Sequence, residues 1–199
     1  MIIQQKIFNQ QEINTVLSWR DTYRELYANP IDEQINPEEN YVGQVYGDWV
    51  KTYKCFNIPR TSETQWMFQK LLDWFSDKTG IKTRDYSDIT FQEDKTKDLL
   101  MTLHGYSSGD RFDRHVDIQP GVFSDRLYNI GVQLNDDYEG GDYIIWDEND
   151  IESKFDKVAG TAVAYDIRFW HQITPITQGT RWSIVFPVLK NHLLTKRVI

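Results

Sequence analysis

From Asp98 to Leu189 the chain is cut into short runs rich in β-branched, aromatic and leucine residues: "DLLMTLHGY", "RLYNIGVQLN", "GGDYIIW", "GTAVAYDI" and "RWSIVFPVL". Glycine, aspartate or asparagine separates them. Runs of this length between such turn residues predict β-strands. Several in succession predict a β-sandwich or barrel for the C-terminal half.

The N-terminal half has a different rhythm. "IIQQKIF" reads as a strand, and Asn9 with Glu12 three residues on makes a capping box that predicts a helix. Ile13, Val16, Leu17 and Arg20 follow at helical spacing, with the aliphatic stem of Arg20 able to lie on the core. Residues 28–40, with two prolines and several carboxylates, predict a surface loop, and 41–58 predict extended structure. Ser62 with Gln65 suggests a second capping box, and Trp66, Phe68, Leu71, Leu72 and Phe75 lead to Gly80 as a helix stop. Helices thus precede the sheet, which predicts an α+β architecture with helices buttressing one sheet rather than alternating βαβ units.

The 199 residues include 7 Trp, 11 Tyr and 10 Phe, enough for one sizeable core without disulfide or metal support. The expectation is a single domain over 1–199, with 1–90 as helical support and extra strands and 91–190 as the core. A net charge of −8 repels a phosphate backbone and argues against a nucleic-acid partner. The one cysteine, Cys55, excludes an intrachain disulfide and a cysteine zinc cluster, and fits a reducing compartment. No window has the apolar length of a membrane span and the start lacks a leader pattern, so no membrane and a cytoplasmic location are expected.

Chemistry concentrates in two stretches. In "RHVDI", a strand geometry puts His115 and Asp117 on one face, where an imidazole nitrogen and a carboxylate oxygen can share an ion. In "WHQITPITQGTRWSIVF", His171 precedes Arg181 by ten residues. Two histidines and one carboxylate form the facial triad suited to non-haem Fe(II), which leaves three coordination positions open. An oxygenase using 2-oxoglutarate fills two of these with its cosubstrate and one with dioxygen. Arg181 is then the candidate for the far carboxylate, since a guanidinium grips a carboxylate through two parallel hydrogen bonds. Ser183, on the same strand face, could add another.

Taken together, "YSSGDRFDRHVD", "LNDDYEGGDYIIW" and "GTAVAYDIRFWHQITPITQGTRWS" resemble the 2-oxoglutarate and Fe(II)-dependent dioxygenases of the prolyl 4-hydroxylase type, from about Leu99 to Val188. The resemblance implies a double-stranded β-helix, a jelly-roll of the cupin-like kind, with His115, Asp117 and His171 as catalytic metal ligands and Arg181 as the oxoglutarate anchor. It also implies a hydrogen bond from Tyr106 to the cosubstrate. Gln133 stands where animal members often carry a tyrosine. Pro187, six residues after Arg181, stands where nucleic-acid demethylating relatives carry a second arginine.

The activity implied is hydroxylation of an unactivated C–H bond of a prolyl or other amino-acid residue in a peptide or protein, with release of succinate and CO2. Alternatives are a dioxygenase of a free amino acid or small molecule, or a cupin-like isomerase or binding jelly-roll that uses no oxoglutarate. Trp170, Phe123 and Arg126 could line a mouth. His104 and His192 lack ligand spacing and read as structural. "NDDYEGGD" lacks an EF-hand pattern and reads as a hairpin turn, "WDENDIE" as a solvated loop, and "GYSSG" carries no phosphate-loop lysine.

Overall fold

Polar side chains set the entry to the first helix. Glu12 N donates to Asn9 Oδ1 and Asn9 N to Glu12 Oε2, each at 2.9 Å, so the capping box forms reciprocally. The computed structural model describes residues 1–22, 35–36, 41–46, 49–89, 101–117 and 125–194. In chain order these form β1 (Ile2–Lys6), α1 (Gln10–Thr22), β2 (Ile35–Asn36), β3 (Tyr41–Tyr46), β4 (Trp49–Ile58), α2 (Gln65–Thr79) and β5 (Met101–Ser107). There follow β6 (Phe112–His115), β7 (Arg126–Gln133), β8 (Glu139–Gly140), β9 (Tyr143–Trp146), β10 (Glu152–Lys154) and β11 (Thr161–Asp166). β12 (Trp170–Ile173), β13 (Ile176–Gln178) and β14 (Thr180–Leu189) complete the series.

The second helix begins differently from the expectation. Ser62 and Gln65 make no capping box, because Gln65 is the first helical residue and Ser62 lies in the turn before it. The Thr61 hydroxyl instead accepts from Glu63 N at 3.2 Å and Thr64 N at 3.3 Å, turning the chain into the helix. At the other end Gly80 takes a left-handed φ of 72° and its N–H returns to Ser76 O, the expected stop.

The strands pair antiparallel along one curled path, β1-β11-β7-β14-β5-β4-β6-β12-β9-β10, with β3 and β2 added on β4 and a small β13–β8 sheet beside it. Alternation assigns the two faces of the larger layer. Ile130, Val132, Ala162, Ala164, Ile184 and Phe186 point outward and pack under Ile13 and Val16 of α1 and Phe68, Leu71, Leu72 and Phe75 of α2. Burying each of those large side chains contributes about 1.5–3 kcal/mol, so the helices close one side of the sheet. Arg20, in the last turn of α1, holds its guanidinium 5.3 Å over the Trp182 ring. The intervening residues Asn129, Gln133, Val163, Tyr165, Arg181 and Ser183 face the interior of the roll. This curled antiparallel sheet with two helices on its back is a double-stranded β-helix.

One turn reading needs correction. Asn135 to Asp142 is not a simple hairpin turn, because Glu139–Gly140 pairs with Ile176–Gln178 from a later part of the chain. Gly140 is required there: its φ is 71°, and a Cβ would lie 2.2 Å from Pro175 O. The "WDENDIE" stretch is, as expected, a solvated loop between strands: a tight turn at Asp147–Asp150 joins β9 to β10, which pairs with it. Most of the loop expected at 28–40 lies outside the described residues, as does Phe123; within it, Ile35–Asn36 pairs with β3. No described helix is long and apolar enough to cross a membrane.

Candidate metal centre

Strand pairing, more than loop geometry, assembles the three candidate ligands. β6 and β12 run antiparallel with His115 and His171 as direct Cα partners, and their ring centroids lie 4.1 Å apart. Asp117 lies two residues beyond His115, just past the end of β6, and turns its carboxylate back toward both rings. The candidate ligand atoms of His115, Asp117 and His171 all fall within 4.8 Å of one another.

The two rings are oriented alike. His115 Nδ1 lies 2.7 Å from Asp113 O, and His171 Nδ1 lies 3.1 Å from Phe169 O. A carbonyl can only accept, so Nδ1 carries the proton in each neutral ring and Nε2 presents its lone pair. These Nε2 atoms stand 3.5 and 3.7 Å from Asp117 Oδ1. His115 Nε2 is buried without a hydrogen-bond partner, since a 3.5 Å approach is too long for a good bond. An inward-facing lone pair beside a carboxylate oxygen is what a transition-metal ion would satisfy, and the N,N,O donor set fits Fe(II).

Electrostatics keep His171 and Asp117 in their ligating forms. Burial lowers the His171 pKa to about 4, with His115 adding to the shift, so the imidazole is neutral at pH 7. Burial opposes ionisation of Asp117, but His171, His115 and Arg126 outweigh it and hold its carboxyl well below the usual carboxylate range.

The other expected residues lie on the neighbouring strands. Arg181 and Tyr106 are direct Cα partners across β14 and β5. The Arg181 side chain is 4% exposed, and its Nη1 donates to Ser183 Oγ at 2.8 Å. Ser183 therefore holds the guanidinium in place by accepting from it, in addition to any donor role. Among the described residues no Asp or Glu lies within ion-pair distance of Arg181. Its guanidinium carbon sits 5.6 Å from the Tyr106 ring and 5.7 Å from the Tyr143 ring. The Tyr143 ring is 6.2 Å from His171, so one aromatic wall connects the arginine to the histidine cluster.

A small interior cavity opens beside this wall, lined by Arg181, Gln133, Tyr138, Tyr143, Gly131 and Val163 among others. Gln133 turns its amide to Asn135 O at 2.6 Å. The Tyr138 hydroxyl lies beside Arg181 and Gln133, yet neither it nor Arg181 Nε makes a well-formed hydrogen bond. His104 and His192 stand apart from the cluster, the first stacked 4.4 Å from Tyr53 and the second 5.5 Å from Phe186.

Sequence reasoning missed Tyr138, Tyr143, Tyr165 and Asn129. The last was detectable: counting back by twos from Gln133 along "LYNIGVQL" puts a polar asparagine on the inward face of an otherwise apolar strand.

Residues 101–186 match the sequence profile of the 2OG-Fe(II) oxygenase superfamily. Among curated proteins, a PKHD-type hydroxylase of Picosynechococcus sp. is 35% identical over 78 residues, covering 38% of this chain and 35% of that protein. A PKHD-type hydroxylase of Maricaulis maris is 28% identical over 99 residues, 49% of this chain and 44% of that protein. The matches thus span less than half of these relatives' length.

The fold is similar over far more of the chain. A 2OG-Fe(II) oxygenase family oxidoreductase from Burkholderia pseudomallei superposes with a TM-score of 0.63 at 12% identity, covering 98% of this chain and 88% of that one. A Pseudomonas putida prolyl-4-hydroxylase gives 0.61 at 14% identity over 94% of this chain and 91% of that one. A viral collagen prolyl hydroxylase of Paramecium Bursaria Chlorella virus-1, solved as a 2OG complex, gives 0.60 at 12% identity over 94% of each chain. The superfamily's cofactors are Fe(II), 2-oxoglutarate and dioxygen. Profile, fold and the His-Asp-His cluster agree: residues 101–186 are similar in sequence to the 2OG-Fe(II) oxygenase superfamily, and the chain shares the fold of solved members of it.

Proposed function

We propose that the protein, acting as a single domain, is a 2-oxoglutarate-dependent hydroxylase acting on a prolyl or other amino-acid residue of a peptide or protein, with release of succinate and CO2. One observation carries this reading. A buried guanidinium, which has no carboxylate partner among the described residues, stands one aromatic ring away from the neutral His171 and the ionised Asp117. Burying an uncompensated charge costs several kcal/mol, which binding of an anion in the cavity would offset.

His115, Asp117 and His171 hold the iron, which when bound supplies the activation of dioxygen and of the keto acid. Arg181 grips the far carboxylate of 2-oxoglutarate, Ser183 fixes the guanidinium, and the Tyr106 ring flanks it. Tyr143 walls the cavity and, with Tyr165 to which its hydroxyl donates, keeps water from the reacting atoms. The Asp117 side chain retains 22% exposure, which leaves the side of the centre beside it open to a substrate.

A polypeptide substrate is favoured by the likeness to prolyl hydroxylases, one of which, from Trichoplax adhaerens, was solved with a peptide fragment of hypoxia inducible factor. A nucleic-acid substrate is disfavoured by the charge of −8.

The test is anaerobic titration with Fe(II) and then 2-oxoglutarate, followed by succinate release against peptide and amino-acid panels. A weak visible band requiring both additions and peptide-stimulated succinate release are expected. Iron binding without the band would refute the use of 2-oxoglutarate. Stimulation by free amino acids alone would refute the polypeptide substrate.

A further inference from the structure

Asn129 is an anomaly on β7. Its side chain is 1% exposed, on a strand position where valine or isoleucine would pack better. Its amide donates to Asp117 Oδ2, and the same nitrogen lies 3.4 Å from the Tyr165 hydroxyl. That hydroxyl accepts from the Tyr143 hydroxyl at 2.5 Å. The reverse amide orientation would set two acceptors against each other, so the donor must face the carboxylate. The Asn129 carbonyl oxygen, by contrast, is buried without a partner. A residue retained for stability alone would not leave that atom unsatisfied.

The placement of the donor gives it a function. Oδ1 faces the two histidine Nε2 atoms, while Oδ2 is occupied by Asn129. We propose that Asn129 is a positioning residue that fixes Asp117 as a ligand through one oxygen. A carboxylate with both oxygens free can swing and chelate an ion through both, which removes one of the positions a facial triad leaves open. Tyr165 contributes by confining the Asn129 amide. The inference rests on the metal-site reading above.

Co(II) titration of the metal-free protein tests it, because cobalt reports coordination by its visible spectrum and requires no turnover. Asn129→Leu conserves shape and removes the donor. The expected result is Co(II) affinity reduced about 10- to 100-fold, as for other partners of metal ligands, with a weaker visible band as coordination number rises. Circular dichroism checks that the variant is folded. Wild-type affinity and an unaltered band in folded Asn129→Leu would overturn the proposal. Wild-type protein that binds no Co(II) would remove the metal-site reading, and the proposal with it. If Asn129→Leu does not fold, the Asn129 side-chain amide resonances of the wild-type protein are compared with those of Asp117→Ala. The carboxylate-bonded proton should move upfield when its acceptor is removed, and an unmoved resonance would overturn the proposal.

Discussion

Replacing Arg181 by methionine should move stability and ligand affinity in opposite directions. Arg181 is 4% exposed, and among the described residues its guanidinium donates to the neutral Ser183 hydroxyl alone. Exchanging a buried charge for an apolar side chain of similar volume should stabilise the fold by about 1–4 kcal/mol. In a chain of this length each kcal/mol raises Tm by about 2–4 °C. The same exchange should remove a charge-assisted contact to the oxoglutarate carboxylate, and losing one partner of such a buried pair costs about 2–5 kcal/mol. Affinity should therefore fall roughly 30-fold to several thousandfold. The assay is calorimetric titration of Zn(II)-loaded protein with 2-oxoglutarate, since zinc occupies the centre without redox turnover, beside thermal unfolding of the metal-free forms. Affinity within about threefold of wild type, with Zn(II) binding intact, would refute the assignment of Arg181. A lowered Tm would refute the claim that its charge is uncompensated.

Other outcomes follow from single features. His171→Ala should lower Fe(II) or Co(II) affinity at least about 100-fold with far-ultraviolet circular dichroism unchanged, because its partner strands retain their ladder; wild-type affinity would exclude His171 as a ligand. His192 is fully buried, and burial lowers its pKa to about 4, below the unfolded value near 6.5, so its contribution is complete above about pH 6.5 and is lost as pH falls toward 4. Between pH 7 and 4.5 this ring should account for about 2–3 kcal/mol of lost stability, and His192→Phe should flatten the dependence of the urea midpoint on pH; an unchanged slope would contradict it. Gly140→Ala combines a positive φ with a Cβ 2.2 Å from Pro175 O and should lower Tm by about 4–8 °C, whereas a neutral effect would show that this crossing of β8 and β13 yields easily.

Much of the core was legible because strand periodicity and ligand spacing describe the same geometry. "RHVDI" and "WHQITP" each place a histidine on a strand, and the register of β6 against β12, which the fold supplies, sets the two opposite each other. The helices were legible through Asn9, Glu12 and Gly80, whose side chains or conformations act locally. What failed was local pattern without local consequence. Ser62 has the spacing of a cap but stands two residues before the cap position, which is Thr64, and the glycines of "NDDYEGGD" serve a pairing with Ile176–Gln178 that no nearby residue announces. Asn129, Tyr143 and Tyr165 were hidden for a related reason. Their roles arise from neighbours on different strands, and a single chain read in order shows inward-facing positions but not which of them meet.

The open sheet also bears on how the protein behaves in solution. Its path ends at β1 and β10, and both end strands are poorly suited to recruit another chain: β10 is the three-residue segment Glu152–Lys154, while Gln4, Gln5 and Lys6 of β1 are exposed. Short or charged margins of this kind discourage edge-to-edge association. Directly behind β1 lies β11, whose run Thr161–Tyr165 is buried throughout. Deleting the first six residues would bare that apolar ladder, so a shortened variant should lose colloidal stability and form aggregates even where its metal centre remains intact.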